Sequence, residues 1–300
     1  MYVPVYRGSP AGPIFRYWWF DRNGALSSFD DHKRLFAVPD SAPLRQFESL
    51  VRSSRDCAIE CSCKIEEGRL NPARFYLWRF DGEVEKHFAA TMGFLRMVEL
   101  ESGVRLDDGL LRRFLDGRFD FDGVKNVVAC VDLRESAPQS RLKLFLRIAG
   151  CAEKLDRAVS LLDDPDAVRR LMFHDDLLVG FDFHLDGGSG LKLYSGVTHD
   201  DLRRGDVRRR LQETCSPDVL AAIAASHRFE FGFKRAAAGR VLSFHPLDPG
   251  AFIERFLPTD AARHLYARYQ GRPLADTVVV IPEEEFGNES PRNYSLYFIR

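Results

Sequence analysis

Residues 57–65 alternate strictly. Ala58, Glu60, Ser62 and Lys64 share one face, and Cys57, Ile59, Cys61, Cys63 and Ile65 share the other. Residues 74–80 repeat the pattern, with Arg74, Tyr76 and Trp78 opposite Phe75 and Leu77. Gly68, Asn71 and Pro72 punctuate the interval, so 57–80 reads as a β-hairpin with a loop of moderate length. One face of this hairpin mixes an acid, cations and aromatic rings. That mixture suits the inside of a wet barrel better than a sheet facing solvent.

The pattern recurs. A helical span at 42–54, with Leu44, Phe47, Leu50 and Val51 on one face after Ser41, leads into the first hairpin. Helical spans at 84–117, 151–173, 200–226 and 250–270 each lead to a strand pair. The pairs fall at 125–134 and 141–149, 177–185 and 190–198, 228–235 and 240–246, and 275–282 and 292–299. Turn residues at 186–190, at 236–239 and at Gly287, Asn288 and Pro291 separate their strands. Parallel α/β folds alternate single strands with helices, whereas strand pairs alternate with helices here. Such pairs can close edge to edge into a barrel of about ten antiparallel strands, with helices covering the apolar outer face. Ten strands enclose more lumen than eight, so a solvent-filled or ligand-holding interior follows. Residues 42–300 are expected to form this single barrel domain. Residues 1–41, rich in Gly, Pro and aromatics and containing Tyr17, Trp18, Trp19 and Phe20, are expected to be an irregular segment packed over it.

Composition narrows the function. A 45% hydrophobic chain of 300 residues supports a full core. A net charge of -1 and a pI of about 6.7 imply no bulk attraction to nucleic acid or to an anionic membrane. No apolar run reaches the roughly 18 residues of a membrane span, and no signal-peptide pattern opens the chain, so a cytoplasmic location is expected. Cysteines stand at 57, 61, 63, 130, 151 and 215. The first three could suggest a metal, but they share one strand face and lack a second Cys/His pair at finger-like spacing. They read as small buried side chains against helices, without disulfides.

Alternation also reads the lumen. It turns Arg74, Lys143, Arg147, Lys192 and Lys234 inward, with Tyr76, Trp78, Phe145, Tyr194 and Tyr297 beside them. Glu60, Glu230 and Gly232 share that surface. Converging cations suit a polyanion such as pyrophosphate, because guanidinium forks bind its oxygens and lysines add point charge. Aromatic faces suit a developing cation, and a carboxylate supplies a base. Together they suggest transfer of an allylic cation from its pyrophosphate. The competing reading is a solvated sheet face with ordinary surface charges; recurrence over several strands argues against it.

The segments Glu60-Cys-Ser-Cys-Lys-Ile-Glu66, Phe119-Asp-Phe121, Val131-Asp-Leu-Arg134, Lys143-Leu-Phe-Leu-Arg-Ile148, Glu153-Lys-Leu-Asp156 and Gly180-Phe-Asp-Phe183 stand in an order and spacing that resemble the cyanobactin peptide prenyltransferases, over residues 45–300. The resemblance implies an ABBA prenyltransferase barrel of ααββ repeats. It also implies a dimethylallyl or geranyl pyrophosphate donor, assistance by Mg²⁺, and a peptide acceptor, usually cyclic and of ribosomal origin. It puts the catalytic carboxylate on Glu60 and the pyrophosphate-binding cations on Arg74, Lys143, Arg147, Lys192 and Lys234. The shielding tyrosines fall at Tyr194 and Tyr297, and His245 matches a pocket histidine. The prenyl and acceptor pocket would be shaped by Tyr76, Trp78, Phe145, Glu230 and Gly232. Glu230 and Gly232 replace a bulky residue that limits prenyl length in the family, and no tryptophan follows Trp78.

Members of that family modify tyrosine, tryptophan, histidine or arginine. An inward Glu230, with Asp276 near it, would suit a guanidinium, although pairing with Lys234 would explain Glu230 equally well. A small-molecule aromatic prenyltransferase and a non-catalytic prenyl-pyrophosphate-binding barrel are the other two classes compatible with these residues.

Overall fold

Among residues 22–117, 119–235, 239–272 and 274–300, which the computed structural model describes, two helices followed by two strands recur five times. The first repeat is α1 (Arg22–Leu35), α2 (Ala42–Ser53), β1 (Cys57–Glu66) and β2 (Arg69–Arg79). Next come α3 (Val84–Ser102), α4 (Gly109–Leu115), β3 (Val124–Asp132) and β4 (Arg141–Ala149). The third is α5 (Ala152–Ser160), α6 (Pro165–Leu171), β5 (Asp176–His184) and β6 (Ser189–Thr198). The fourth is α7 (Gly205–Thr214), α8 (Pro217–Ala224), β7 (Ser226–Lys234) and β8 (Arg240–Pro246). The last is α9 (Pro249–Phe256), α10 (Asp260–Ala267), β9 (Asp276–Pro282) and β10 (Tyr294–Ile299).

Each long helical span expected from periodicity is two helices, and local chemistry makes each break. Gly103, at φ 68°, ends α3 in the left-handed region that favours glycine. Asp164, Ser216 and Thr259 cap α6, α8 and α10, each accepting a hydrogen bond from the backbone N–H three residues on. Pro165 and Pro217 follow two of these caps at the first helical turn, where the missing N–H costs nothing. Pairing lets a short chain segment cover two strands before the next hairpin begins.

All neighbouring strands are antiparallel, and the first pairs with the last. Glu60 sits opposite Ile299, Ser62 opposite Tyr297 and Lys64 opposite Ser295. The closed order β1-β10-β9-β8-β7-β6-β5-β4-β3-β2 leaves no free edge. Alternation then sorts the side chains as predicted. The large apolar core, with Cys57, Cys61 and Cys63 within it, lies between the barrel and its helices. A smaller apolar cluster, built on Tyr76, Phe145 and Tyr297, lies inside the barrel.

The segment expected to be irregular holds α1 over residues 22–35. Its apolar positions are sparse, which hid it, but Phe29 is buried with its ring 4.6 Å from that of Phe75. His32 Nε2–H donates to the Pro72 carbonyl at 2.7 Å, while Nδ1 accepts from the Tyr269 hydroxyl. Burial pushes this histidine down to about 4, so the neutral ring ties α1 to strand β2 and to the segment just after α10. Tyr17, Trp18, Trp19 and Phe20 lie outside the described residues, as does most of the turn expected at 236–239. No helix among the described residues is long and apolar enough to cross a membrane.

Candidate active site

The lumen is graded along its axis. At one end β2, β3, β4 and β5 bring a dense ionic cluster together. Asp132, fully buried, lies 3.1 Å from Arg74 Nε, 2.9 Å from Arg141 Nε and 3.1 Å from Lys143 Nζ, and also meets Arg134. Asp182 Oδ2 accepts from Lys192 Nζ at 2.5 Å, and its Oδ1 is buried without a hydrogen-bond partner. Burial alone would raise both carboxyls, but the surrounding cations hold each well below its usual range. The cations outnumber them. Lys64 also faces this end, and Lys234 stands directly across from Lys192 in register. Burial pushes Lys192 down to about 7, with Lys143 and Arg141 acting the same way against the pull of Asp182. Such a cluster is short of negative charge.

Above it runs an aromatic band. The Arg74 guanidinium donates to the hydroxyls of Tyr76 at 2.9 Å and Tyr297 at 3.0 Å, so both rings are oriented by the cluster below. Ring centroids of Tyr76 lie 5.6 Å from Tyr297 and 5.8 Å from Phe145, and Phe145 lies 6.3 Å from Tyr194. Two glycines let these rings lie flat on neighbouring strands. Phe145 rests on Gly180, and a Cβ added at Gly232 would stand 2.8 Å from Tyr194 Cε1. The space over Gly232 is therefore taken by the Tyr194 ring.

Beyond the band a cavity of about 150 Å³ opens toward the other end. Glu60 enters it from β1, with Trp78 Nε1–H donating to Oε2 at 2.9 Å. Burial pushes the Glu60 carboxyl up to about 7; Glu230 and Asp276 push it the same way, and the Trp78 hydrogen bond opposes them. Glu230 is paired with Arg228, and Arg147 with Asp176 at 2.5 Å. His245 Nδ1–H donates to Asp276 Oδ2 at 2.6 Å.

The residues singled out by alternation thus divide into two groups. Arg74, Lys143, Lys192 and Lys234 assemble at the cationic end, with Tyr76 and Tyr297 bonded to Arg74. Arg147 does not join them. It is four residues beyond Lys143 on β4, roughly 13 Å along an extended strand, and lines the cavity beside Asp176. Glu230 pairs with Arg228, two residues back on β7, rather than with Lys234, four residues further on. Asp132, Asp182 and Arg141 were not among the candidate residues. Their period-two positions on β3, β4 and β5 were readable, but the identity of their partners depends on register between strands.

The chain belongs to the family of unknown function DUF5838, whose model matches residues 24–300. No curated protein matches its sequence. Among solved structures it is similar to a 5-dimethylallyltryptophan synthase from Streptomyces coelicolor, with 13% identity, 92% of this chain and 97% of that one covered, and a TM-score of 0.56. It is also similar to a 6-dimethylallyltryptophan synthase from Micromonospora olivasterospora in complex with DMASPP and Trp, with 15% identity, 80% and 81% covered, and a TM-score of 0.53. The fold is the ABBA prenyltransferase barrel.

Proposed function

We propose that this chain is a prenyltransferase that moves a dimethylallyl group from its diphosphate to a nucleophile on an acceptor held beside Glu60. The observation that carries this reading is the grading of one lumen from surplus cations, through aromatic faces, to a carboxylate pushed up to about 7. Arg74, Lys143, Lys192 and Lys234 would hold the diphosphate and take up the charge that develops as the C–O bond breaks. Tyr76, Phe145, Tyr194 and Tyr297 would face the allylic cation and keep water from it. The acceptor's electron pair would form the new bond to carbon, and Glu60 would take the acceptor's proton.

Mg²⁺ would supply further charge neutralisation at the diphosphate. The unpartnered Oδ1 of Asp182 is a protein oxygen at this end that could hold it. The occupied space over Gly232 favours the five-carbon donor, and geranyl would require the Tyr194 ring to move.

The Glu60–Trp78 contact favours an acceptor with an N–H to donate, since this carboxylate already accepts an indole N–H. An acceptor carrying an N–H, either an indole or a guanidinium, would replace Trp78 there. The sequence resemblance favours such a group on a peptide side chain. A second reading, free tryptophan or a related small aromatic, is favoured by the tryptophan synthases named above. Incubation with dimethylallyl and geranyl diphosphates, each with free tryptophan and with cyclic peptides containing Trp, Arg or Tyr, tests both. A mass gain of one prenyl unit on a peptide supports the first reading, and a gain on free tryptophan alone supports the second. Donor binding without any product would leave a binding barrel and overturn both.

A further inference from the structure

At the rim of the cavity three residues from three strands converge in a way the prenyl-transfer chemistry does not use. Strict alternation along β7 sends Phe229, Phe231 and Phe233 toward the helices and Arg228 and Glu230 into the lumen. His227 would then point outward. The ladder between β7 and β8 slips at this residue, since Ser226 pairs with Pro246 but Arg228 pairs with His245. Such a bulge re-aims a side chain, and here it turns His227 over the mouth. Its Nε2 lies 3.8 Å from Asp276 Oδ2, and its ring centroid 5.6 Å from that of His245. His245 Nδ1 meets the same carboxylate at 2.6 Å, while the other Asp276 oxygen accepts the Thr277 backbone N–H at 2.8 Å. The three candidate donor atoms all lie within 4.8 Å of one another, and this is the one such group among the described residues.

We propose that His227, His245 and Asp276 form a binding site for a divalent transition-metal ion of the zinc type. Two imidazoles and one carboxylate match the three-ligand sets that hold zinc with one position open. Imidazole nitrogens select such ions over Mg²⁺, which prefers oxygen ligands. Donor atoms on a tetrahedral zinc stand about 3.4 Å apart. The His227 contact is already near that spacing, and the His245–Asp276 contact has to open by less than an ångström. Thr277 fixes the carboxylate from behind, as outer partners of metal ligands do. His227 has a half-exposed side chain, which gives an ion entry from solvent, while His245 and Asp276 are largely shielded. Glu230 and Glu60 face the same chamber and add negative potential, against Arg228 and Arg147. An ion held here would sit at the entrance through which an acceptor reaches Glu60. It would compete with a cationic acceptor and leave a neutral one room to approach.

The site is independent of the prenyl-transfer reading, and its test needs no turnover. The full-length protein, stripped with a chelator and then freed of it, is titrated with Co²⁺ while the visible ligand-field spectrum is followed. Zn²⁺ is then added in competition. One equivalent of Co²⁺ should give tetrahedral or five-coordinate bands that Zn²⁺ abolishes and excess Mg²⁺ does not. His227→Ala, in a solvent-reachable bulge and with folding checked by circular dichroism, should weaken Co²⁺ affinity by more than about tenfold, since outer-shell partners alone reach that size. Asp276→Asn should do the same, and His264→Ala on α10 should change nothing. Absence of the bands in the folded protein, binding that survives His227→Ala, or displacement by Mg²⁺ would each overturn the proposal.

Discussion

Trp78 donates its indole N–H to Glu60 Oε2 at 2.9 Å, across a diagonal of the β1–β2 hairpin in which Ala58, not Glu60, is the direct partner of Trp78. It is the one hydrogen bond to this carboxylate among the described residues. The contact keeps a buried acid from rising further.

Glu60→Gln should lower turnover by about 10²–10⁴-fold if proton removal is limiting, with donor affinity preserved. In the parent protein, kcat/KM should rise with pH through about 7 as Glu60 loses its proton. Trp78→Phe removes a hydrogen bond that favours the charged carboxylate, so the rising limb should move to higher pH. Steady-state rates across pH for the three proteins check this; a limb that survives Glu60→Gln would assign the proton transfer elsewhere.

Asp132 and Glu60 should respond unequally to neutralisation. Asp132→Asn leaves Arg74, Arg134, Arg141 and Lys143 facing one another and should cost about 3–5 kcal/mol of stability. Glu60→Gln removes a carboxyl that burial already disfavours, so its stability should hardly change. The pH dependence follows from the same pairs. Asp132 and Asp182 have their carboxyls held below the ordinary value of 3.8, so their contribution is fully present above that value. It is lost as pH falls below it. Denaturant titrations at several pH values measure both effects.

Lys143→Ala and Arg147→Ala, four residues apart on one strand, should separate donor from acceptor. The first removes a cation from the diphosphate end, at about 1.5–3 kcal/mol for a charged hydrogen bond, and weakens donor binding. The second unpairs Asp176 at the cavity and should raise the acceptor's KM while donor affinity stays close to normal. Loss of donor affinity in Arg147→Ala but not in Lys143→Ala would place the diphosphate at the opposite end.

Lys192 sits at about 7 in the free protein, so near neutral pH part of the population lacks its charge. A bound diphosphate favours the charged form. Donor binding should therefore take up protons at pH 7–8, and affinity should fall as pH rises through that range. Calorimetry in two buffers of different ionisation enthalpy reads the proton count directly, and Lys192→Met should reduce it.

Gly232→Ala should displace the Tyr194 ring, because the added methyl would stand 2.8 Å from it. Overpacking of this kind costs typically ~1–3 kcal/mol. Donor binding should weaken for the dimethylallyl and geranyl diphosphates alike. A change confined to geranyl would mean that free room, rather than the ring, lies over this glycine.

The repeat of strand pairs and helices was legible in the sequence, and so was the division of each strand into helix-facing and lumen-facing side chains. Both follow from the chain's local periods, 2.0 for strands and 3.6 for helices, which depend on neighbours along the chain. That is why Glu60, Arg74, Lys143, Lys192 and Tyr297 could be assigned to the lumen in advance. Helix α1 was not legible, because its apolar positions are sparse along the chain and its ties to the barrel, Phe29 on Phe75 and His32 with partners 40 and 237 positions away, are made to residues distant in sequence. Height along the barrel was not legible either. Residues on one face of a strand look alike in sequence, and only the register between strands sent Arg147 to Asp176 and Lys143 to Asp132. The same register put Tyr194 over Gly232, and a one-residue slip in it turned His227 over the barrel mouth. Sequence decided which side chains enter the lumen; pairing between strands distant along the chain decided which of them meet.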